Sequence, residues 1–258
     1  MKKLYILISV LLATALLTGC GVKSENTDST AEMGNTESTE RTGNTENTEN
    51  ILTSSSEPAT CVSEEPASVK PADLGQITSK GYVNKYVGFG CDLGDGWVVE
   101  SADQLQEITD DIKDTLAGSA LGDTSDGQLQ VMDMRAVNPE SGGSVNVMYQ
   151  EVSPSDMALY QEMDDDQIID SVLKQKDAMI DSYAQAGMTV TEMGKIGTFF
   201  LGEDRVALRT VATAGDSELI MVQIFDFHLE GNFTAITTFS AYTPEELASM
   251  MLCFYPID

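Results

Sequence analysis

One histidine, His228, bounds the chemistry open to this sequence, because a Ser-His-Asp triad or a His-rich zinc site would have to be built on it. It stands in Phe225-Asp226-Phe227-His228-Leu229. In a strand this alternation puts Asp226 and His228 on one face and the two aromatics on the other. A carboxylate and an imidazole two residues apart suit a metal ion or an acid–base pair, which makes Asp226 and His228 the candidate metal ligands. No nucleophile or third ligand can be named beside them. Glu107, Asp110, Asp111 and Asp114 recur at helical spacing on one face, where Ca²⁺ would relieve their repulsion; the simpler expectation is a solvated face. The loop Gly122-Asp123-Thr124-Ser125-Asp126-Gly127 lacks the Asp-x-Asp-x-Asp-Gly spacing and distal Glu of a calcium loop, and reads as a turn. Met132, Met134, Met250 and Met251 read as adaptable core filler, with copper(I) capture as the alternative. No Gly-rich phosphate loop, Cys-x-x-Cys or basic aromatic patch is present. The expectation is therefore no catalytic set, no cofactor and no enzyme.

The elements that must position these residues follow from periodicity. Residues 82–93 read as extended and close at Gly94-Asp95-Gly96, before Trp97-Val98-Val99. Ser101 and Gln104 form a capping box ahead of Leu105, Ile108, Ile112 and Leu116, the apolar stripe of a helix. Residues 129–137 and 144–152 flank Asn138-Pro139-Glu140-Ser141-Gly142-Gly143, a hairpin signal. Ser153-Pro154 opens a short helix. Asp164, Asp165 and Asp166 suit the first turn of a longer one, whose stripe is Ile169, Val172, Leu173, Met179, Ile180 and Tyr183 and whose stop is Gly187. Strands follow near 188–199, 203–213, 218–229 and 233–242, separated by glycine turns, and Thr243-Pro244-Glu245-Glu246 caps a last helix carrying Leu247, Met250, Met251 and Phe254. Consecutive antiparallel strands with helices before and after them imply an α+β domain: an antiparallel meander covered by helices.

Composition divides the chain. Residues 20–80 are rich in Thr, Ser, Asn and Glu, with Gly34-Asn35-Thr36-Glu37 repeated at Gly43-Asn44-Thr45-Glu46. Such a stretch buries too little apolar surface to offset the entropy of ordering, so it is expected to be a disordered linker, with an average span of about 40–45 Å as a flexible coil. Residues 81–258 hold the only Trp and all 8 Phe and are expected to be one folded domain. A net charge of −28 opposes phosphate backbones, so nucleic acid is not an expected partner. Cys91 and Cys253 can be read as a disulfide or as two buried small hydrophobes; Cys61 in the linker would stay unpaired in either case.

At the N-terminus Lys2 and Lys3 precede an apolar run from Leu4 to Leu17, of signal-peptide length. The run ends in Leu17-Thr18-Gly19-Cys20, which resembles the lipobox of bacterial lipoproteins. The resemblance implies that residues 1–19 are a signal peptide. It also implies that Cys20 is the lipid attachment site, tethering the protein to the extracytoplasmic face of the cell membrane. Further on, Tyr82-x-Asn84-x-Tyr86-x-Gly88-Phe89, then Gly96-Trp97 and a polar-headed helix, with a late meander and closing helix, resembles the lipoprotein members of the PsbP/Mog1-like group. This implies an antiparallel sheet between helical layers, an α/β/α sandwich, in a group whose members bind other proteins and are not enzymes. The expected function is a membrane-anchored, non-enzymatic binding or accessory domain with a protein partner. The alternatives are a calcium- or transition-metal-binding lipoprotein and, third, a hydrolase.

Overall fold

The computed structural model describes residues 75–78, 81–117, 130–215, 219–231 and 233–257. The signal, Cys20, Cys61, most of the linker and the loop at 122–127 lie outside the described residues. Among the described residues eleven strands form two antiparallel sheets. The small sheet has the order β1 (Gln76–Ile77), β2 (Gly81–Asn84), β3 (Phe89–Asp92) and β11 (Phe254–Pro256). The large sheet has seven strands: β4 (Val98–Val99), β5 (Gln130–Val137), β6 (Ser144–Glu151), β10 (Phe233–Ala241), β9 (Ile220–Glu230), β8 (Glu203–Ala214) and β7 (Met188–Phe200), in that spatial order.

Turn chemistry sets the hairpins. Asn138 Oδ1 accepts from the N–H of Glu140 at 3.0 Å, and Asn138 N–H donates to the Gly143 carbonyl at 2.8 Å, which closes β5 on β6. Leu201 and Gly202 join β7 to β8 with φ of 53° and 86°, the left-handed pair that matches strand twist. β10 is the inner strand on which the two halves meet. It pairs with β9 on one side and reaches back to β6 on the other, and every one of its residues is buried. Its sequence, Phe-Thr-Ala-Ile-Thr-Thr-Phe-Ser-Ala, has the β-branched and aromatic content of a strand covered on both faces.

Helices α1 (Ala102–Ala117), α2 (Pro154–Tyr160), α3 (Asp165–Leu173) and α4 (Lys176–Gln185) precede β7 in sequence, and α5 (Pro244–Leu252) follows β10. Ile169, Val172, Met179 and Tyr183 pack with Met132, Met148, Phe225 and Ile236 on one face of the large sheet. The other face carries Val145, Val147, Ile224 and Phe239, covered by Tyr82, Phe89, Cys91 and Phe254 of the small sheet and by Met250 of α5. The α+β architecture expected from the sequence is thus present, with a small sheet sharing the second covering layer with one helix.

Local expectations differ in four places. The extended run at 82–93 is two strands, folded back at Lys85–Gly88, where Asn84 Oδ1 accepts from the N–H of Tyr86 at 2.8 Å. The long helix toward Gly187 is two, α3 and α4, broken at Lys174–Gln175, where Gln175 adopts φ −114° and ψ 18°. Phe254 leaves the last helix and begins β11, opposite Cys91. Gln76 and Ile77, placed in the linker by their polar surroundings, pair with Val83 and Tyr82. Both expected caps are made, Gln104 N–H donating to Ser101 Oγ and Glu246 N–H to Thr243 Oγ1; Asp164, expected in the first turn of its helix, is instead its N-cap and accepts from Gln167 N–H.

Candidate functional site

Asp226 and His228 sit on β9 facing away from Phe225 and Phe227, as alternation requires. Phe225 and Phe227 join the helix-side core, while the His228 ring meets Phe89 of the small sheet edge to face at 6.3 Å. Pairing between β8 and β9 ends at Leu208 opposite Phe225, and Arg205 occupies the split that follows. Its Nη2 donates to the Phe227 carbonyl at 2.9 Å, and its Nε lies 3.0 Å from Asp226 Oδ1 and 3.4 Å from Asp165 Oδ2. The contact with Asp226 is an ion pair without hydrogen-bond geometry, and neither Asp226 oxygen has a hydrogen-bond partner among the described residues.

Burial therefore dominates the electrostatics. It pushes the Asp226 carboxyl up to about 6, against the pull of Arg205 and with a further push from Asp165. Burial also lowers His228, and so does Arg205, against the opposing effect of Glu230, Asp165 and Glu203. Among the described residues no group of three or more His, Cys, Asp or Glu side chains converges on a metal position. What the geometry shows is a buried carboxylate paired with Arg205 where the β8–β9 ladder has ended.

The sign of the pH effect follows. A carboxyl whose folded pKa is raised from 3.8 to about 6 binds more protons folded than unfolded between those values, so stability falls as pH rises through that window and the full cost is present above about pH 6. Asp226→Asn leaves Arg205 its contacts with Asp165 and Phe227. Relative to the parent it should gain about 2–3 kcal/mol near pH 8, and the gain should shrink as pH falls from about 6 to 4 and vanish below about pH 3. Urea unfolding of both proteins across that range reads the difference directly.

A more elaborate polar cluster centres on Asp133, 5% exposed, in the seam between the sheets. The register of β5 against β6 slips between Met132 and Met134. That bulge re-aims the strand: Met132 joins the helix-side core, while Met134 joins the core under the small sheet. Asp133 Oδ2 accepts from Tyr82 Oη–H and, at 3.0 Å, from Asn84 Nδ2. Asn84 Nδ2 also donates to Tyr149 Oη at 2.6 Å. The N–H of Gly75 completes the set, at 2.9 and 3.0 Å from the two carboxylate oxygens. The position admits no side chain, because a Cβ on Gly75 would stand 1.9 Å from the Tyr82 ring. Burial raises the Asp133 carboxyl, opposed by the hydrogen bonds from Tyr82, Asn84, Gly75 and Tyr149. Burial and the Asp133 charge in turn raise both phenols.

The sequence singled out Met132 and Met134 and passed over the aspartate between them. The available signal was that aspartate inside an otherwise apolar strand, read together with Tyr82-x-Asn84. What hid the cluster is that Gly75 and β2 meet the β5–β6 hairpin from about fifty residues or more away in sequence.

The other candidates do not converge on these clusters. Glu107, Asp110 and Asp111 are exposed along α1, with Gln106 Nε2 donating to Asp110 Oδ1 at 3.0 Å; the Asp114 side chain lies outside the described residues. Met132, Met134 and Met250 are 2% exposed or less, which matches core filler. Cys91 and Cys253 are free thiols. Cys91 stands opposite Phe254 and Cys253 opposite Asp92, whose N–H donates to the Cys253 carbonyl at 3.0 Å, so the two cysteines are staggered by one residue. Burial pushes the Cys91 thiol up to about 12.

No protein family matches this chain, and neither does any curated protein. Among solved structures it is similar to cyanobacterial PsbP (CyanoP) from Synechocystis sp. PCC 6803, determined in solution. The two share 11% sequence identity at a TM-score of 0.41, over 74% of this chain and 98% of that one.

Proposed function

We propose that this protein is a lipoprotein anchored through Cys20 on the extracytoplasmic face of the cell membrane, whose domain binds another protein and performs no catalysis. The observation that carries the binding reading is how the three buried carboxylates of the described residues are employed. Asp133, Asp156 and Asp226, 5%, 6% and 1% exposed, are committed inside the fold: the first joins the sheets, the second accepts from Ser153 Oγ at the head of α2 and the third is paired with Arg205. Among the described residues the other acidic side chains stand mostly in solvent, where they favour solubility and selective encounter over bond chemistry. The anchor rests on the order of Lys2, Lys3, the apolar run and Leu17-Thr18-Gly19-Cys20. An acidic domain on a long acidic linker is held near an anionic membrane without being drawn onto it.

Two measurements test the reading. Cys20→Ala should release a folded domain from the membrane fraction or leave an unprocessed precursor; unchanged fractionation with normal cleavage overturns the anchor. Cross-linking of the full-length protein in its native envelope should capture a protein reproducibly, and repeated recovery of none overturns the binding role.

A further inference from the structure

The large sheet ends in two unlike edges. β4 is two residues long, whereas β7 is thirteen and pairs with β8 alone among the described residues. Long edges invite strand addition unless something blocks them. The first half of β7 is blocked. Its register against β8 shifts between Val190 and Glu192, the intervening Thr191 turns its hydroxyl to the Val211 carbonyl, and Lys176 Nζ of α4 caps the Met193 carbonyl at 2.9 Å. That contact shows which groups face outward. The main chain of Met193 points away from β8, so in antiparallel alternation the N–H and C=O of Lys195, Gly197 and Phe199 do as well.

Among the described residues nothing comparable covers the edge from Lys195 onward. A Cβ on Gly197 would meet no atom within 4 Å, and Phe199 is 60% exposed, among the most exposed large apolar side chains described. The surroundings are acidic. Lys195 is flanked by Asp166 and Asp170 at 2.7 and 2.8 Å, both more than half exposed, and Asp204 and Glu203 stand exposed opposite Phe199 and Phe200. Asp177 and Asp181 are exposed on α4, which packs against β7. A second copy would bring the same acids against these, between molecules each carrying −28.

The geometry points to the outer edge of β7, from Lys195 to Phe199, as the seat of an extended, basic segment of the partner protein, added as a further antiparallel strand. Main-chain bonds to Lys195, Gly197 and Phe199 supply affinity. An apolar side chain against Phe199, with Lys or Arg toward Asp204, Glu203, Asp166 and Asp170, supplies selectivity. This assignment rests on the binding reading above.

The probe is a short peptide alternating Val and Lys, with a Val and Glu peptide as control, offered to the full-length protein. The basic peptide should bind, weaken with salt, and slow amide exchange at Lys195, Gly197 and Phe199. Gly197→Pro removes an outward N–H without touching the β8 ladder, and Phe199→Glu adds charge on an exposed position; each should weaken binding by about ten-fold or more. Equal affinity for both variants, no change in exchange at the edge, or preference for the acidic peptide overturns the assignment. So does edge protection that grows with protein concentration alone, the signature of a second copy. A natural partner captured in the envelope and retained by Gly197→Pro would leave the binding role standing and remove this edge from it.

Discussion

Asp133→Ala should cost the domain about 3–5 kcal/mol, measured by urea or thermal unfolding, because the substitution strands several buried donors at once. Tyr82 Oη–H, one N–H of Asn84 Nδ2 and the Gly75 N–H each lose the Asp133 carboxylate as acceptor, in a seam where Tyr82 and Asn84 are 0% and 1% exposed. Removing the charge alone is milder. Asp133→Asn keeps the volume and one acceptor oxygen while sparing a buried carboxylate its desolvation, so its loss should be under half that of the alanine variant. Equal losses for both would show that the negative charge, and not the hydrogen-bond count, organises the seam. Amide exchange at Gly75 and along β1 should accelerate in the alanine variant before the rest of the sheet opens, because β1 is exposed and, among the described residues, pairs with β2 alone.

Phe239→Ala is the second large effect, expected at about 3–5 kcal/mol. Phe239 lies on β10 with 0% exposure and meets Phe200 and Phe254 edge to face, with ring centroids 5.4 and 5.2 Å apart. Three elements converge on it: the end of β7, the central strand and β11. A cavity there would be lined by Phe200 and Phe254, which cannot both move inward without unpairing Phe254 from Cys91. Phe199→Ala is the internal control. The neighbouring ring is 60% exposed, and its truncation should change stability by no more than about 0.5 kcal/mol. The same unfolding measurement on both variants separates core packing from surface area.

Much of the fold was legible because much of it is local. The hairpin at Asn138–Gly143, the helix caps at Ser101 and Thr243 and the strands from Met188 to Ala241 are written in residues within a few positions of one another. Breaks in this reading came where tertiary packing overrides a local pattern. One apolar stripe ran through α3 and α4, yet the chain turns at Gln175 so that Ile169 and Val172 on one helix and Met179 and Tyr183 on the next reach the same core. Gln76 and Ile77 have no strand signal of their own. They are held by Val83 and Tyr82 together with the Gly75–Asp133 contact.

The candidate chemistry divided in the same way. Alternation alone was enough to place Asp226 and His228 on the face away from Phe225 and Phe227, because side-chain direction in a strand has period two. It could not show that Arg205 fills the split beside Asp226, since that depends on where the β8–β9 ladder ends. Nor could it show that Asp133 binds Tyr82 and Asn84, some fifty residues away. Periodicity and capping act over a few residues and can be read along the chain, and so the sequence by itself determined the α+β class, the order of the elements and the polar face of β9. Which strands become neighbours depends on burying two faces of one sheet at once. Only the tertiary structure could decide that Asp133 joins the sheets, that Asp226 is held by Arg205, and that β7 is left as the long open edge.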